Sequence, residues 1–281
     1  MQTIENKSFS SERALYGSDG LILKNCTFEG EEDGESALKE SRNIEAYSSI
    51  FKLRYPFWHD TTVLVDSCTL EESARAPFWY TKDLKITNCE INSPKALRES
   101  TDIIIENSTI NSSELGWRCD GVCIKDSKLS GEYFLFSSKN INFKSTTFSG
   151  KYSFQYIENA VVEDSTLNTK DAFWHAKNVH IKNSTVNGEY LGWYSENLTF
   201  ENCKITGTQP FCYAKGLTLI NCQMQGCDLS FERSEVNASL TAPILSIKNP
   251  ASGTIAVPSV GEIILDYKTD CKIVIKEEAL V

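Results

Sequence analysis

The sequence has few of the features that mark membrane, secreted or nucleic-acid-binding proteins. Its longest wholly apolar stretches are only a few residues, whereas a membrane-spanning helix needs roughly 18 to 20. The N-terminus has neither the basic start nor the apolar run of a secretory signal, so we expect a cytoplasmic protein. Cations are in the minority, with 28 Lys+Arg against 38 Asp+Glu. This acidic balance argues against partners such as nucleic acids and anionic membranes.

What the sequence does contain is an internal repeat, which governs the fold of a whole chain. The segments 21–28, 84–91 and 198–205 share one pattern of alternating apolar residues followed by Asn-Cys. With the Asn as an anchor, the unit recurs eleven times, and every step from Asn88 to Asn221 is 19 residues. The anchors are Asn25, Ser48, Ser67, Asn88, Asn107, Asp126, Ser145, Asp164, Asn183, Asn202 and Asn221.

Three positions of the repeat are apolar in every unit. They lie four before, two before and three after the anchor, as in Leu84, Ile86 and Ile91. The residue directly before the anchor is mostly polar, and this alternation is typical of a strand with one buried and one solvated face. A unit this short cannot bury its own apolar face, but units stacked about 4.8 Å apart form a continuous core.

The position five before the anchor marks a corner, because it holds almost only Gly, Asn and Asp, which tolerate a left-handed backbone. We therefore predict an all-β fold, a single-stranded right-handed parallel β-helix (solenoid) of about eleven 19-residue coils plus caps. A leucine-rich repeat is the alternative, but it uses a longer unit and often a helical return, and the sequence shows no helical periodicity.

We predict a single β-helix domain over residues 1–281. Residues 1–13 form the N-terminal cap, 14–235 the regular coils, and 236–281 irregular terminal coils and a cap, since an open rung exposes unpaired backbone.

The cysteines indicate packing rather than redox chemistry. One column holds Cys in five units and Ser or Thr in the others, and this interchange favours small, reduced, structural side chains. The five are Cys26, Cys68, Cys89, Cys203 and Cys222. Cys119 and Cys123 have no further Cys or His nearby in the repeat, so we do not expect a zinc site. We expect neither a metal nor another cofactor.

An aromatic column runs nine residues before the anchor and contains all five Trp. The residues before it, such as Phe57 and Phe78, carry no charge and should face the core, so the Trp column should face out. Exposed aromatic faces with polar neighbours predict a platform for an oligosaccharide or polysaccharide. The alternative is that the indoles pack inside or cap the sheet edge. The candidate binding residues are Lys39, Trp58, Trp79, Tyr80, Trp117, Trp174, His175, Trp193 and Tyr194.

The densest group of titratable residues gives the catalytic candidates, Glu40, His59, Arg98, Glu99 and Arg118. Glu40 and Glu99 lie three rungs apart, roughly 14 Å, which exceeds the about 5 to 9.5 Å of a glycosidase pair. A lyase needs a base, a cation to stabilise an enolate, and an acid. His59 or Arg98 would be the base, Lys39 or Arg118 the cation, and Tyr80 the acid. The alternative is that Glu99 and Arg118 form a surface ion pair.

Several segments resemble the bacterial family known as domain of unknown function 3737, and the likeness covers nearly the whole chain. These segments are Phe9–Leu15, Gly34–Ser41, Tyr55–Trp58, Ala74–Tyr80, Lys170–Trp174 and Gly188–Trp193. The resemblance implies a pectin-lyase-like right-handed β-helix, usually intracellular, and implies no activity. The chain lacks the Asn-Thr-Asp and Gly-His-Gly signatures of polygalacturonases.

Three functions stay open at this point, and the sequence does not decide whether the protein is an enzyme. The first is a noncatalytic or weakly catalytic β-helix that recognises a saccharide along the aromatic column. The second is a polysaccharide lyase or other carbohydrate-active enzyme. The third is a scaffold that self-associates into a homo-oligomer through the same column.

Overall fold

A computed structural model describes residues 1–30 and 34–275 of the chain. Strands are the only regular elements in this part, and none of it forms a helix long and apolar enough to cross a membrane. The prediction of an all-β parallel solenoid is confirmed. The chain forms two compact units, residues 1–142 and 143–281. Residues 276–281 of the predicted terminal cap lie outside the described residues.

The first unit contains β1 (Gln2–Glu5), β2 (Ser8–Phe9), β3 (Asp19–Lys24), β4 (Thr27–Phe28), β5 (Arg42–Tyr47), β6 (Ile50–Phe51), β7 (Thr61–Asp66), β8 (Thr69–Leu70), β9 (Phe78–Trp79), β10 (Lys82–Thr87), β11 (Glu90–Asn92), β12 (Leu97–Arg98), β13 (Thr101–Glu106), β14 (Thr109–Asn111), β15 (Leu115–Trp117), β16 (Asp120–Lys125) and β17 (Lys128–Glu132). Strand β18 (Lys139–Lys144) contains the boundary between the units.

The second unit contains β19 (Thr147–Lys151), β20 (Glu158–Glu163), β21 (Thr166–Asn168), β22 (Lys177–Lys182), β23 (Thr185–Asn187), β24 (Glu196–Glu201), β25 (Lys204–Thr206), β26 (Leu217–Cys222), β27 (Glu235–Leu240), β28 (Ile244–Lys248), β29 (Ser252–Val257), β30 (Val260–Ile264) and β31 (Asp270–Ile275).

Each unit is a stack of parallel strands that pair one turn apart. The long sheet of the first unit has the order β1-β3-β5-β7-β10-β13-β16, and that of the second has β20-β22-β24-β26-β27-β29-β31. The pairing follows the repeat, so that Leu84 lies beside Ile103 and Ile86 beside Ile105. The eleven predicted units each contribute one long strand from β3 to β26. Further strands at both ends bring the solenoid to about 14 turns, a small difference from the prediction.

The core lies where the repeat predicts it. Every side chain of the three apolar columns is buried. Phenylalanines stack on one another between turns, with ring centroids 4.7 Å apart for Phe28 and Phe51 and 5.0 Å apart for Phe154 and Phe173. Because each apolar column packs on itself from one turn to the next, burial depends on the stack rather than on any single turn.

Both corners flanking the long strands adopt the left-handed backbone. All eleven anchors have a positive φ, and so do all the residues five before them, including the β-branched Thr62 at 56°. Asn, Asp and Gly suit these positions because they carry the smallest steric penalty there. Corner chemistry and strand periodicity thus agree along the repeat.

The ten cysteines are all free thiols. Cys68 is buried and donates its Sγ hydrogen to the carbonyl of Asp66 at 3.3 Å, as the Ser49 hydroxyl does to Tyr47 at 2.9 Å. Residues 1–30 and 34–275 contain no group of three or more His, Cys, Asp and Glu side chains placed to hold a metal ion.

Candidate functional site

The tryptophans are half-buried, and each ties two turns together. Every indole N–H donates to a backbone carbonyl one turn further along the chain, at 2.6 to 3.0 Å. Each acceptor residue is left-handed, which turns its carbonyl toward the indole. The five bonds join Trp58 to Ala76, Trp79 to Lys95, Trp117 to Tyr133, Trp174 to Tyr190 and Trp193 to Gln209.

Neighbouring indoles form offset parallel stacks. Trp58 and Trp79 are parallel within 8° with centroids 5.2 Å apart, and Trp174 and Trp193 are parallel within 7° at 5.3 Å. Contact between stacked rings occurs at about 3.5 to 4.0 Å, so a 5.2 Å separation implies a lateral offset of about 3.3 to 3.8 Å. Part of each ring face is therefore covered by the next turn. The Trp column therefore fits both interpretations of the sequence. Its indoles are bonded across the sheet edge, and part of each indole also reaches the surface.

In the first unit, cations occupy the Trp column as well. The Lys39 ammonium lies 5.9 Å from the Trp58 ring centroid. The Arg98 guanidinium lies between two indoles, 4.3 Å from Trp79 and 4.8 Å from Trp117, and pairs with Glu114 at 2.7 Å. Arginine stays protonated in proteins, so this arrangement supplies a fixed positive charge and does not suit a base.

The catalytic candidates line one corner of the first unit, and most already have partners. The Tyr16 hydroxyl donates to the Glu40 carboxylate, a bond that raises the pKa of Tyr16. Glu99 and Arg118 form an exposed ion pair at 2.8 Å, as the alternative interpretation expected.

The His59 ring stacks on that of Tyr80, with centroids 4.6 Å apart. The structure thus brings the candidates together as neighbours along the axis, and their catalytic roles stay predictions.

The second unit carries a longer ladder, in the column directly after the Trp column. Tyr156, His175, Tyr194 and Tyr213 stack on consecutive turns, with centroids 4.7, 5.1 and 4.9 Å apart and planes within 8 to 11° of parallel. Tyr156 is 49% exposed and Tyr194 43%. We call these four residues the ring ladder. Beside it, the Trp193 plane stands 74° from that of Tyr194, so the two columns present differently inclined surfaces.

All four ladder residues have a left-handed backbone, with φ between 54° and 59°. Bulky side chains cost roughly 1 to 2 kcal/mol there. The two corners that flank the long strands use mostly Asn, Asp and Gly, whereas the ladder corner holds larger residues such as Tyr80 in the first unit as well. Core packing explains left-handed Phe154 and Phe173, which are fully buried. It does not explain rings that are nearly half exposed. A local preference broken at the surface points to a role beyond folding.

One buried acid escaped the sequence reasoning. Asp60 follows His59 and is fully buried, in a column where most other turns have Ser or Thr and the rest have Cys, Ala or Ile. Its Oδ1 accepts the Ser41 N–H at 3.0 Å, while Oδ2 has no hydrogen-bond partner among the described residues. Burial raises the pKa of Asp60 to about 8. The only signal in the sequence was one carboxylate in a column that otherwise holds uncharged, mostly small side chains.

At the end of the ladder the repeat lengthens by one residue. A 19-residue step places Phe231 in the Trp column and Glu232 in the next, but Phe231 is fully buried. Tyr213 N–H donates to the carbonyl of Glu232, and the left-handed residues Phe231 and Arg233 repeat the left-handed Phe211 and Tyr213 of the preceding turn. The step from Tyr213 is therefore 20 residues, and Arg233 continues the ladder column.

The solved structures similar to this chain include a lyase, a glucanase domain and an epimerase module. A mannuronic acid specific polysaccharide family 6 lyase from human gut microbiota has a TM-score of 0.41 and 11% identity, covering 97% of this chain and 76% of that one. The catalytic domain of a GH87 alpha-1,3-glucanase in complex with nigerose has a TM-score of 0.37 and 11% identity. The match covers 97% of this chain but only 63% of the glucanase domain.

A third neighbour, the A-module of the Azotobacter vinelandii mannuronan C-5 epimerase AlgE4, has a TM-score of 0.32 and 9% identity, covering 99% of this chain and 90% of that one. At these values the neighbours carry no argument about activity. No curated protein matches the chain.

The family comparison is more specific than these structures. A model described as protein of unknown function (DUF3737) matches residues 2–276, nearly the whole chain, as the motif segments around Trp58, Trp79, Trp174 and Trp193 predicted. The parallel β-helix, the repeat and this match agree, and the chain belongs to the DUF3737 family.

Proposed function

We propose that the protein binds an extended oligosaccharide or polysaccharide along the ring ladder and the neighbouring indoles of the second unit. The observation that carries the proposal is a stack of four rings at left-handed corners, where smaller residues would be more favourable. Tyr156 and Tyr194 are exposed, and His175 and Tyr213 are half-buried. Such rings offer partly open apolar faces, and their Tyr hydroxyl and imidazole groups can exchange hydrogen bonds with sugar hydroxyls.

The repeat distance of the ladder supports an extended ligand. Successive rings are 4.7 to 5.1 Å apart, which is comparable to the length of one sugar residue in an extended chain. The neighbouring indoles cannot swing away, because the N–H groups of Trp174 and Trp193 are bonded to the backbone. A surface fixed in this way loses little entropy when it binds.

Recognition is preferred to catalysis because of the state of the acidic and basic candidates. Glu99, Arg118 and Arg98 are engaged in ion pairs, and Glu40 accepts a hydrogen bond from Tyr16. Arg98, Arg118 and Glu99 would first have to leave these partners to take part in the lyase reaction, whereas His59 and Tyr80 stack on each other.

The test is a glycan array probed with the wild type and with the Tyr156→Asn/Tyr194→Asn variant. Asn tolerates the left-handed corner, so the exchange removes the rings while relieving backbone strain. We expect the wild type to bind a subset of extended glycans, the variant to lose at least tenfold in affinity, and its stability to stay within about 1 kcal/mol, because lost stacking offsets relieved strain.

The matched control is Ile220→Asn, because Ile220 is 47% exposed on the long sheet of the same unit. This variant should bind like the wild type. Equal binding by wild type and ladder variant, or no glycan bound by the wild type, would contradict the proposal.

A further inference from the structure

The column of the ring ladder continues, one turn beyond Tyr213, with the cation Arg233. Arg233 has a φ of 55°, close to the 59° of Tyr213 on the preceding turn. Its N–H donates to the carbonyl of Asn249 at 2.8 Å, so its backbone is held by the next turn. A ligand lying along the ring ladder would therefore reach Arg233 about 4.8 Å, or one strand spacing, beyond Tyr213.

Arg233 borders a cleft of about 390 Å³, which is within the roughly 300 to 1,000 Å³ typical of small-ligand sites. The Arg233 guanidinium lies 5.0 Å from the ring centroid of Tyr267, and Tyr267 is 61% exposed. The cleft is lined by Arg233, Asn249, Pro250, Ala251, Tyr267 and Lys268.

The cleft carries two cationic side chains, Arg233 and Lys268. Neither Arg233 nor Lys268 has a carboxylate within ion-pair distance there. Of two acidic groups on the adjoining turns, only Glu232 has a cation as its partner. Glu232 pairs with Lys248 at 3.2 Å, and the Asp266 carboxylate accepts a hydrogen bond from Asn249 at 3.0 Å. In the first unit, by contrast, Arg98 and Arg118 are both paired.

We propose that this cleft binds a carboxylate borne by the saccharide, so that the ligand is a uronate-containing glycan. This inference rests on the proposed function and adds the charge of the ligand. The planar guanidinium of Arg233 matches a carboxylate in a bidentate pair, and the Lys268 ammonium adds a second charge. The exposed Tyr267 ring provides an apolar surface for the sugar that carries the acid.

The test uses tetrasaccharides of galacturonic acid and of glucuronic acid, each as the free acid and as the methyl ester. Methyl esterification keeps the sugar backbone and removes the charge, so the ratio of the two affinities isolates the carboxylate. Binding is measured by calorimetry for the wild type, for Arg233→Gln/Lys268→Gln, and for the control Lys204→Gln/Lys215→Gln. The control removes the same charge from exposed lysines elsewhere in the unit.

We expect at least one free acid to bind the wild type tenfold or more tightly than its ester, and this preference to shrink as salt rises from 50 to 500 mM. The preference should vanish in the Arg233/Lys268 variant and persist in the control. A preference that survives in the Arg233/Lys268 variant, or falls equally in both, would overturn the inference. If the array shows ladder-dependent binding of neutral glycans only, the inference fails while the proposed function stands. No glycan binding at all would defeat both.

Discussion

Replacing Asp60 with serine should stabilise the protein by about 4 kcal/mol at pH 7. Asp60 is fully buried with Oδ2 unpartnered, and burial raises its pKa from 3.8 to about 8. Each unit of pKa corresponds to about 1.4 kcal/mol. At pH 7 the unfolded carboxyl has ionised and the folded one is still largely protonated, so unfolding releases a proton and becomes easier.

The structure shows what a serine hydroxyl would do in place of the carboxyl. Equivalent hydroxyls donate to the carbonyl of an inward residue one turn earlier, at 2.8 Å from Thr81 to Phe57 and 2.9 Å from Ser100 to Phe78. The corresponding acceptor for Asp60 is the carbonyl of Leu38. The hydroxyl introduced by Asp60→Ser would reach this carbonyl, and it does not ionise.

The sign of the pH dependence follows from the raised pKa. The unfolded state holds fewer protons than the folded state between about pH 4 and 8, so the wild type loses stability relative to Asp60→Ser across that window, by about 1.4 kcal/mol per pH unit. Above pH 8 the difference should be constant, and below pH 4 it should be close to zero.

Urea unfolding of both proteins from pH 4 to 9, followed by circular dichroism, measures this difference. Asp66→Ser is the control with the opposite trend, because a hydrogen bond from Thr87 lowers the pKa of Asp66. The stability that Asp66 contributes is lost as the pH falls. A difference between wild type and Asp60→Ser that does not change with pH would refute the reasoning.

Three further predictions concern the stack itself. Gly188→Ala should lower the free energy of unfolding by about 3 kcal/mol or more, since a Cβ would lie 1.4 Å from the Thr169 carbonyl oxygen. Gly17→Ala, with open space around the Cβ, should lower it by only about 1 kcal/mol. Equal urea midpoints for the two variants would contradict this. Trp174→Phe should lower the free energy of unfolding by about 1 to 2 kcal/mol, because the Tyr190 carbonyl loses its indole donor at 2.6 Å. Unchanged stability would show that this hydrogen bond between turns is unimportant. Cys68→Ser should change the free energy of unfolding by less than about 1 kcal/mol, because the column accepts either residue. The native thiol should resist iodoacetamide, because burial raises the pKa of Cys68 to about 12. Rapid labelling of this thiol would contradict its burial.

The fold could be predicted because every level of the sequence repeats with the same period. Apolar residues such as Leu84, Ile86 and Ile91 recur at fixed distances from an Asn, and the corners carry residues that tolerate a left-handed backbone. Where the period changes, prediction fails. The 20-residue step from Tyr213 to Arg233 shifted the columns by one residue, and the terminal strands β27, β29 and β31 have no recognisable anchor. Strand β1 is followed by Asn6, 19 residues before Asn25, but Gln2 stands where the other units have an apolar residue.

The site could be predicted only in part, because a column says where a residue lies and not which way its ring is inclined. The repeat placed Trp58 and Trp79 on consecutive turns, as observed, but the overlap of their faces depends on ring tilt and on bonds to Ala76 and Lys95. The unusual corner at Tyr156 and Tyr194 was equally hidden, since Tyr and His do not signal a left-handed backbone.

The most direct measurement is an NMR titration of the labelled protein with the tightest glycan from the array, following the ring signals of His175 and Tyr194. Our account predicts that the ring signals of His175 and Tyr194 shift and saturate with the measured affinity. Other shifts should be confined to their neighbours in the ring ladder and the Trp column. Saturable binding that leaves both rings unperturbed, with shifts confined to another face, would contradict it.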